Sequence, residues 1–212
     1  MKDFPVFTTE YGVASLILRE VPYQGIAYIR IQATQEPEKL LKECVSFCRM
    51  VGAERICATG HESLVGYPFY TAVWEMACLR ESLGQTEAAL WPVTEETSAR
   101  FRELYNEKVK KIPNAAWMDG KEEKRMLEKG DGYFVHRDGK LLGIGRVEGE
   151  TLLFLASFAP GAGPDVIRAL ASVSREERCV LDVASENVKA LALYERLGFI
   201  KVGERSRWFL VN

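Results

Sequence analysis

At 212 residues the chain is long enough to bury a sizeable core, as one domain or as two small ones. Charged residues make up 27% of it and hydrophobic ones 47%, with a formal net charge of -2, so no polyanionic partner is advertised and nucleic acid is disfavoured as a substrate. No apolar run is long enough for a membrane span, and MKDFPVFTTEYG lacks the basic region and apolar core of a secretory signal; the expected location is the cytoplasm, with no membrane partner.

In chain order, YGVASLILREVPYQGIAYIRIQA reads as two strands joined by a turn at VPYQG. EPEKLLKECVSFCRMVGA reads as a helix: Pro37 suits its first turn, Leu40, Leu41, Cys44, Val45 and Cys48 recur at helical spacing, and Gly52 marks the stop. ERICATG and FYTAVWEMACL follow as strands. Apolar content drops near ESLGQTEA, where Gly84 offers a turn, and this sets an expected division into residues 1–84 and 85–212.

The second half restarts with a brief strand in ALWPV and a helix that Thr94 can cap, its Glu95 and Glu96 complementing the helix dipole. Phe101, Leu104, Tyr105 and Val109 form its expected buried side, and Pro113 lies just past its end. NAAWMDG is an expected loop, and KEEKRMLEKG a short, mostly solvated helix. GYFVHRDGKLLGIGRVEGETLLFLAS then reads as three antiparallel strands separated at RDGK and EGET. The HRD triplet at His136 resembles a kinase catalytic loop but lacks the downstream Asn, and it sits in the expected hairpin turn. APGAGPDVIRALA feeds a glycine turn into a helix, ERCVLDVAS is a strand apolar on both faces, and a helix and the strand KVGERSRWFL complete the set.

The five cysteines, Cys44, Cys48, Cys57, Cys78 and Cys179, show none of the paired spacings of zinc sites, and only His61 and His136 could join them. Buried reduced thiols and no metal are expected. The halves share an order of elements, with AERICATG in the first answering EERCVLDVAS in the second. Where the second has APGAGPD the first has QATQEPE, with no glycine to let a ligand approach the backbone, so a ligand site is expected in the second half alone.

A glycine turn ahead of a helix presents unpaired N–H groups and the positive end of the helix dipole, which together suit phosphate. About twenty residues on, NVKALALYERLGF places Asn187, Ala190 and Tyr194 on one helix face, the outer two about 10.5 Å apart along the axis. The order N-x-x-A-x-x-x-Y-x-x-x-G-F, from Asn187 to Phe199, resembles the GNAT superfamily of acyl-CoA N-acyltransferases, and the resemblance runs from about Ala88 to Leu210. It implies an α+β fold, a mixed sheet whose fourth and fifth strands splay around the pantetheine arm of acetyl-CoA, preceded here by a truncated GNAT-like repeat. Leu155, Ala156 and Ser157 would then pair with the pantetheine amides, Gly161, Ala162 and Gly163 would face the pyrophosphate, Asn187 would bond near the cofactor, and Ala190 would leave room for it. Phe158 stands where the family carries Arg or Gln, and Asp165 puts a carboxylate at the helix start, where it would repel a pyrophosphate; Arg168 lies one turn on.

The implied activity is acetyl transfer from acetyl-CoA to a primary amine of a small molecule or peptide. A phenol keeps its proton at neutral pH, so Tyr194 suits protonation of the leaving thiolate; the competing reading is a core tyrosine whose hydroxyl caps a carbonyl. Glu148, Glu150 and Asp182 lie on or near the strands around the cleft, and none is singled out as the base. Trp117 and Met118 either line the acceptor pocket or cover core. The alternative is a catalytically degenerate module that binds CoA or holds a protein partner, and a homodimer stays open.

Overall fold

Apolar and β-branched residues crowd the first seventy positions, and they build a small sheet with one helix against it. The computed structural model describes residues 5–110, 112 and 115–212 and resolves into two compact units, Met1–Ala72 with Arg205–Asn212, and Val73–Glu204. In the first, β1 (Val6–Thr9), β2 (Gly12–Ile17) and β3 (Ile26–Thr34) form a meander, β2 and β3 linked by a one-turn helix, α1 (Val21–Gln24). The expected turn at VPYQG is this helical turn, closed by Gly25 at φ 67°. The short edge strand β1 escapes the sequence reading because only four residues carry it.

Helix α2 (Pro37–Met50) crosses over to β4 (Arg55–Thr59), which pairs parallel with β3. Its Leu40, Leu41, Cys44 and Cys48 are buried against Leu16, Ile29, Ile31 and Ile56. β3 and β4 stay in register from Ile26↔Arg55 to Arg30↔Thr59, with no gap between them over those five positions. Phe209 and Leu210, near the C-terminus, pair antiparallel with Ala58 and Cys57.

Strand β5 (Phe69–Leu79) straddles the division, so Val73–Leu79, which the composition break near Gly84 groups with the first half, packs in the second unit. There follow β6 (Ala89–Pro92), α3 (Glu95–Val109), α4 (Gly120–Lys129), β7 (Gly132–Arg137), β8 (Lys140–Glu148), β9 (Thr151–Ser157), α5 (Gly163–Ala171), β10 (Arg178–Ala184), α6 (Val188–Arg196) and β11 (Ile200–Leu210). The strand order in this unit is β5-β10-β9-β8-β7-β6, and β9 and β10 form its parallel pair. At the β7–β8 turn Asp138 and Gly139 both take positive φ, 52° and 73°, as a tight hairpin requires. The helix stop expected at Pro113 and the loop start at Asn114 lie outside the described residues.

Two apolar layers flank this sheet. Phe101, Leu104, Met118 and Met126 of the α3–α4 segment cover Phe134, Ile144 and Ala156, while Val166, Ile167 and Leu170 of α5 and Tyr194 of α6 cover Leu152, Leu181 and Val183. Helix α5 lies so close to β8 that a Cβ at Gly145 would meet Leu170 Cδ1 at 2.2 Å and Phe154 O at 2.9 Å. Among the described residues no helix is long and apolar enough to cross a membrane.

The charges of α4 are less solvated than its composition suggests. Glu123 is buried and pairs with Arg102 of α3, and Glu122 accepts from Arg146 at 2.9 Å. Arg146 is itself buried and grips Asp131 with two bonds of 2.8 Å. Burial alone would lower the guanidinium pKa, but its hydrogen bonds to Asp131 and Glu122 raise it instead. Removing one partner of such a pair leaves an uncompensated buried charge. Asp131→Ala is expected to cost about 3–5 kcal/mol in urea unfolding, whereas Glu148→Gln, which breaks the exposed pair with Lys129, should cost under about 1 kcal/mol.

Candidate functional site

Strands β9 and β10 touch only briefly. They pair at Val180↔Thr151 and Leu181↔Leu152 and then part. The cause lies in β9. On its other side Val147↔Leu152 is followed by Arg146↔Phe154, so Leu153 is an extra, bulged residue. The bulge reverses the alternation of the strand: Leu152 and Leu155 both join the core under α5 and α6, while Phe154, Ala156 and Phe158 join the one under α3 and α4.

The backbone reverses with it. Phe158 N–H donates to Leu142 C=O on β8, so alternation turns the polar groups of Ala156 toward β8 and those of Leu155 and Ser157 toward the gap. Of the three residues expected to pair with pantetheine, two therefore face the gap. Ala156 is spent on its β8 partner Ile144. Lys108, in the last turn of α3, brings its Nζ to 3.2 Å from Ser157 O and 4.7 Å from the centre of the Phe158 ring.

Beyond β9 the chain turns at Gly161, whose φ of 77° and open surroundings suit a residue without a side chain. Ala162 is the N-cap of α5 and is buried. Gly163 serves the packing of helices: a Cβ there would meet Leu193 Cδ2 at 2.6 Å, so α5 and α6 approach one another through it. The carboxylate of Asp165 is already answered. Its Oδ2 accepts from Arg137 at 2.7 Å and its Oδ1 from the Thr86 hydroxyl at 3.0 Å. Arg168 donates Nε to Leu83 C=O at 2.7 Å, and its Nη1 stands 3.9 Å from Asp165. Sequence spacing held no signal for the Arg137 contact, which joins residues twenty-eight apart across a helix and a strand.

On α6, Asn187 is the N-cap, its Oδ1 accepting the Ala190 N–H at 3.3 Å. Ala190 packs in the same core as Leu155 and Tyr194. Tyr194 is 6% exposed, its ring centre 5.8 Å from that of Phe199. Burial alone pushes the phenol up to about 12, and among the described residues its hydroxyl has no hydrogen-bond partner. A carbonyl-capping role is thus not what the hydroxyl performs in this fold.

The three strand carboxylates separate clearly. Glu148 is tied to Lys129, and Glu150 stands in the β8–β9 turn. Asp182 is the first β10 residue past the paired stretch, opposite Glu75 of β5. Leu181 and Val183 point into the core under α5 and α6, so alternation turns Asp182 to the opposite, open face. Desolvation beside the strands nevertheless raises its carboxyl above the usual range. Met118 is core, its backbone held by Asn106 at 2.9 and 3.0 Å, while the Trp117 ring lies 5.4 Å from Lys110 Nζ.

The five cysteines are buried and unlinked, with burial pushing Cys44 and Cys57 up to about 12. Among the described residues no group of three or more His, Cys, Asp and Glu side chains is placed to hold a metal. A depression of about 450 Å³ is lined by Glu87, Trp91, His136 and Arg137 on and beside β6 and β7.

No protein-family model matches the chain, and no curated protein matches it. Solved structures do. A functionally unknown conserved protein from Staphylococcus epidermidis is similar over 99% of this chain and 94% of its own, at 11% identity and a TM-score of 0.63. A GCN5-related N-acetyltransferase from Anabaena variabilis shares 13% identity over 94% of this chain and 59% of its own, at 0.61. A tandem GNAT protein from the clavulanic acid biosynthesis pathway shares 12% over 95% and 78%, at 0.57. At such identities the likeness is one of fold, and it agrees with the parted strands and the glycine turn: this chain has the fold of the GNAT acetyltransferases.

Proposed function

We propose that the second unit is an acetyl-CoA-dependent N-acetyltransferase acting on a primary amine of a small molecule or peptide, and that the first is a truncated GNAT-like repeat without a cofactor site. The observation that carries the reading is the parting of β9 from β10 beyond Leu152 and Leu181, which leaves the backbone groups of Leu155 and Ser157 turned to a gap. An extended amide-bearing arm fits such an edge as an added strand. In the first unit the corresponding β3 and β4 remain paired, which favours one site per chain.

The donor set fits an acyl-CoA. Gap-facing amides suit pantetheine, and the open turn at Gly161 with the start of α5 suits a diphosphate once Arg137 has neutralised Asp165. Acyl-CoA, when bound, supplies a thioester carbonyl open to attack by an amine. Tyr194 lies in the core under α5 and α6 and, with its pKa raised to about 12, keeps its proton at neutral pH, so its phenol can stabilise the departing thiolate by donating a hydrogen bond to the sulfur, which takes its own proton from solvent. Asp182 stands on the opposite face, where the gap opens. As a carboxylate it can accept a proton from the incoming ammonium or its ordered water.

A screen of amines, polyamines, amino acids and aminoglycosides with free-thiol detection tests the activity. Tyr194→Phe is expected to lower kcat about 10²-fold or more while changing stability by less than about 1 kcal/mol, since its hydroxyl makes no bond that is lost. Unchanged turnover would remove Tyr194 from the mechanism. Asp182 must be ionised to act as a base, so activity should fall as pH drops through its raised pKa. Asp182→Asn should lower kcat and abolish that low-pH limb while leaving acetyl-CoA affinity unchanged, and a pH–rate profile retaining the limb would exclude this role.

A further inference from the structure

Resting on the reading of the gap as an acyl-CoA site, we propose that Lys108 is the cation that meets the diphosphate, in the part that Phe158 cannot play where the family pattern carries Arg or Gln. Its ammonium lies at the C-terminal end of β9, against Ser157 O and the Phe158 ring, directly ahead of the glycine turn and the start of α5. The two arginines that reach Asp165 are committed. Arg137 is bound to Asp165, and Arg168 to the Leu83 carbonyl. Among the described residues no carboxylate lies within ion-pair distance of Lys108 Nζ, and one of its three donors is engaged by Ser157, which leaves two for phosphate oxygens.

The helix itself offers little. Pro164 lacks an N–H in the first turn of α5, and the charge of Arg137 is spent on Asp165, so a phosphate at the turn needs a further cation from outside. A lysine in the last turn of α3 is also favoured by that helix's negative end, which explains a cation on this turn but not its reach to a carbonyl of β9. Ser157 O can accept a second hydrogen bond, so the ammonium and an incoming amide need not compete for it.

Calorimetric titration of CoA into the full chain, at low and at high salt, tests the assignment. Lys108→Met should weaken CoA binding about tenfold or more, Lys108→Arg should retain most of the affinity, and the deficit of the Met variant should shrink as salt rises. Thermal melts of each variant establish that it is folded. Equal affinity of the Met variant and the wild type would overturn the proposal, as would a deficit independent of salt, which would mark lost packing on Phe158. A wild type that binds no CoA at millimolar concentration would overturn the acyl-CoA reading itself.

Discussion

One extra residue in a strand organises the second unit. Because Leu153 is bulged out of the β8–β9 ladder, β9 changes which edge and which face it shows, and its pairing with β10 ends where that change occurs. Everything assigned to the site depends on this. The backbone groups of Leu155 and Ser157 turn away from β8 only past the bulge, and Asp182 is at an opening only because β9 has turned away. Tyr194 belongs to the core under α5 and α6, and Asp182 is turned to the opposite face of β10.

Charge around the glycine turn is balanced by groups distant in sequence. Asp165 alone would make the start of α5 hostile to phosphate, yet Arg137 and Thr86 hold both its oxygens, and Gly163 brings α6 close enough for Leu193 to pack there. The same logic rules elsewhere in the unit, where buried Arg146 gathers Asp131 and Glu122 to hold α4 against the sheet. In both places one arginine satisfies acidic groups that their own elements leave exposed to repulsion.

Much of this was legible in the residues. Helical spacing places α2 in the first unit, and helical spacing in α3 and α6, the Asp138–Gly139 turn and the N-x-x-A-x-x-x-Y-x-x-x-G-F pattern place elements of the second, because each depends on neighbours within a few positions. Asn187 caps its helix as its residue type suggests. What was not legible depends on pairing across strands. The bulge at Leu153 leaves no compositional mark, since Leu152, Leu153, Phe154 and Leu155 are apolar alike, so Ala156 and Ser157 could not be told apart as partners for a ligand. Asp165 reads in sequence as repelling a pyrophosphate for the same reason, its partner Arg137 being a strand away from the helix that carries it. The charges of α4 looked solvated because nothing local reveals Arg102 and Arg146 across from them.

The central claim is that the gap between β9 and β10 accepts an extended amide-bearing arm along one edge of β9. Amide chemical shifts and hydrogen exchange followed by NMR as acetyl-CoA is added measure this directly. If the arm binds there, the Leu155 and Ser157 amides shift and gain protection while the Ala156 amide, already bonded to β8, keeps its exchange rate. Protection of all three alike, or of none while CoA binds elsewhere, would contradict it.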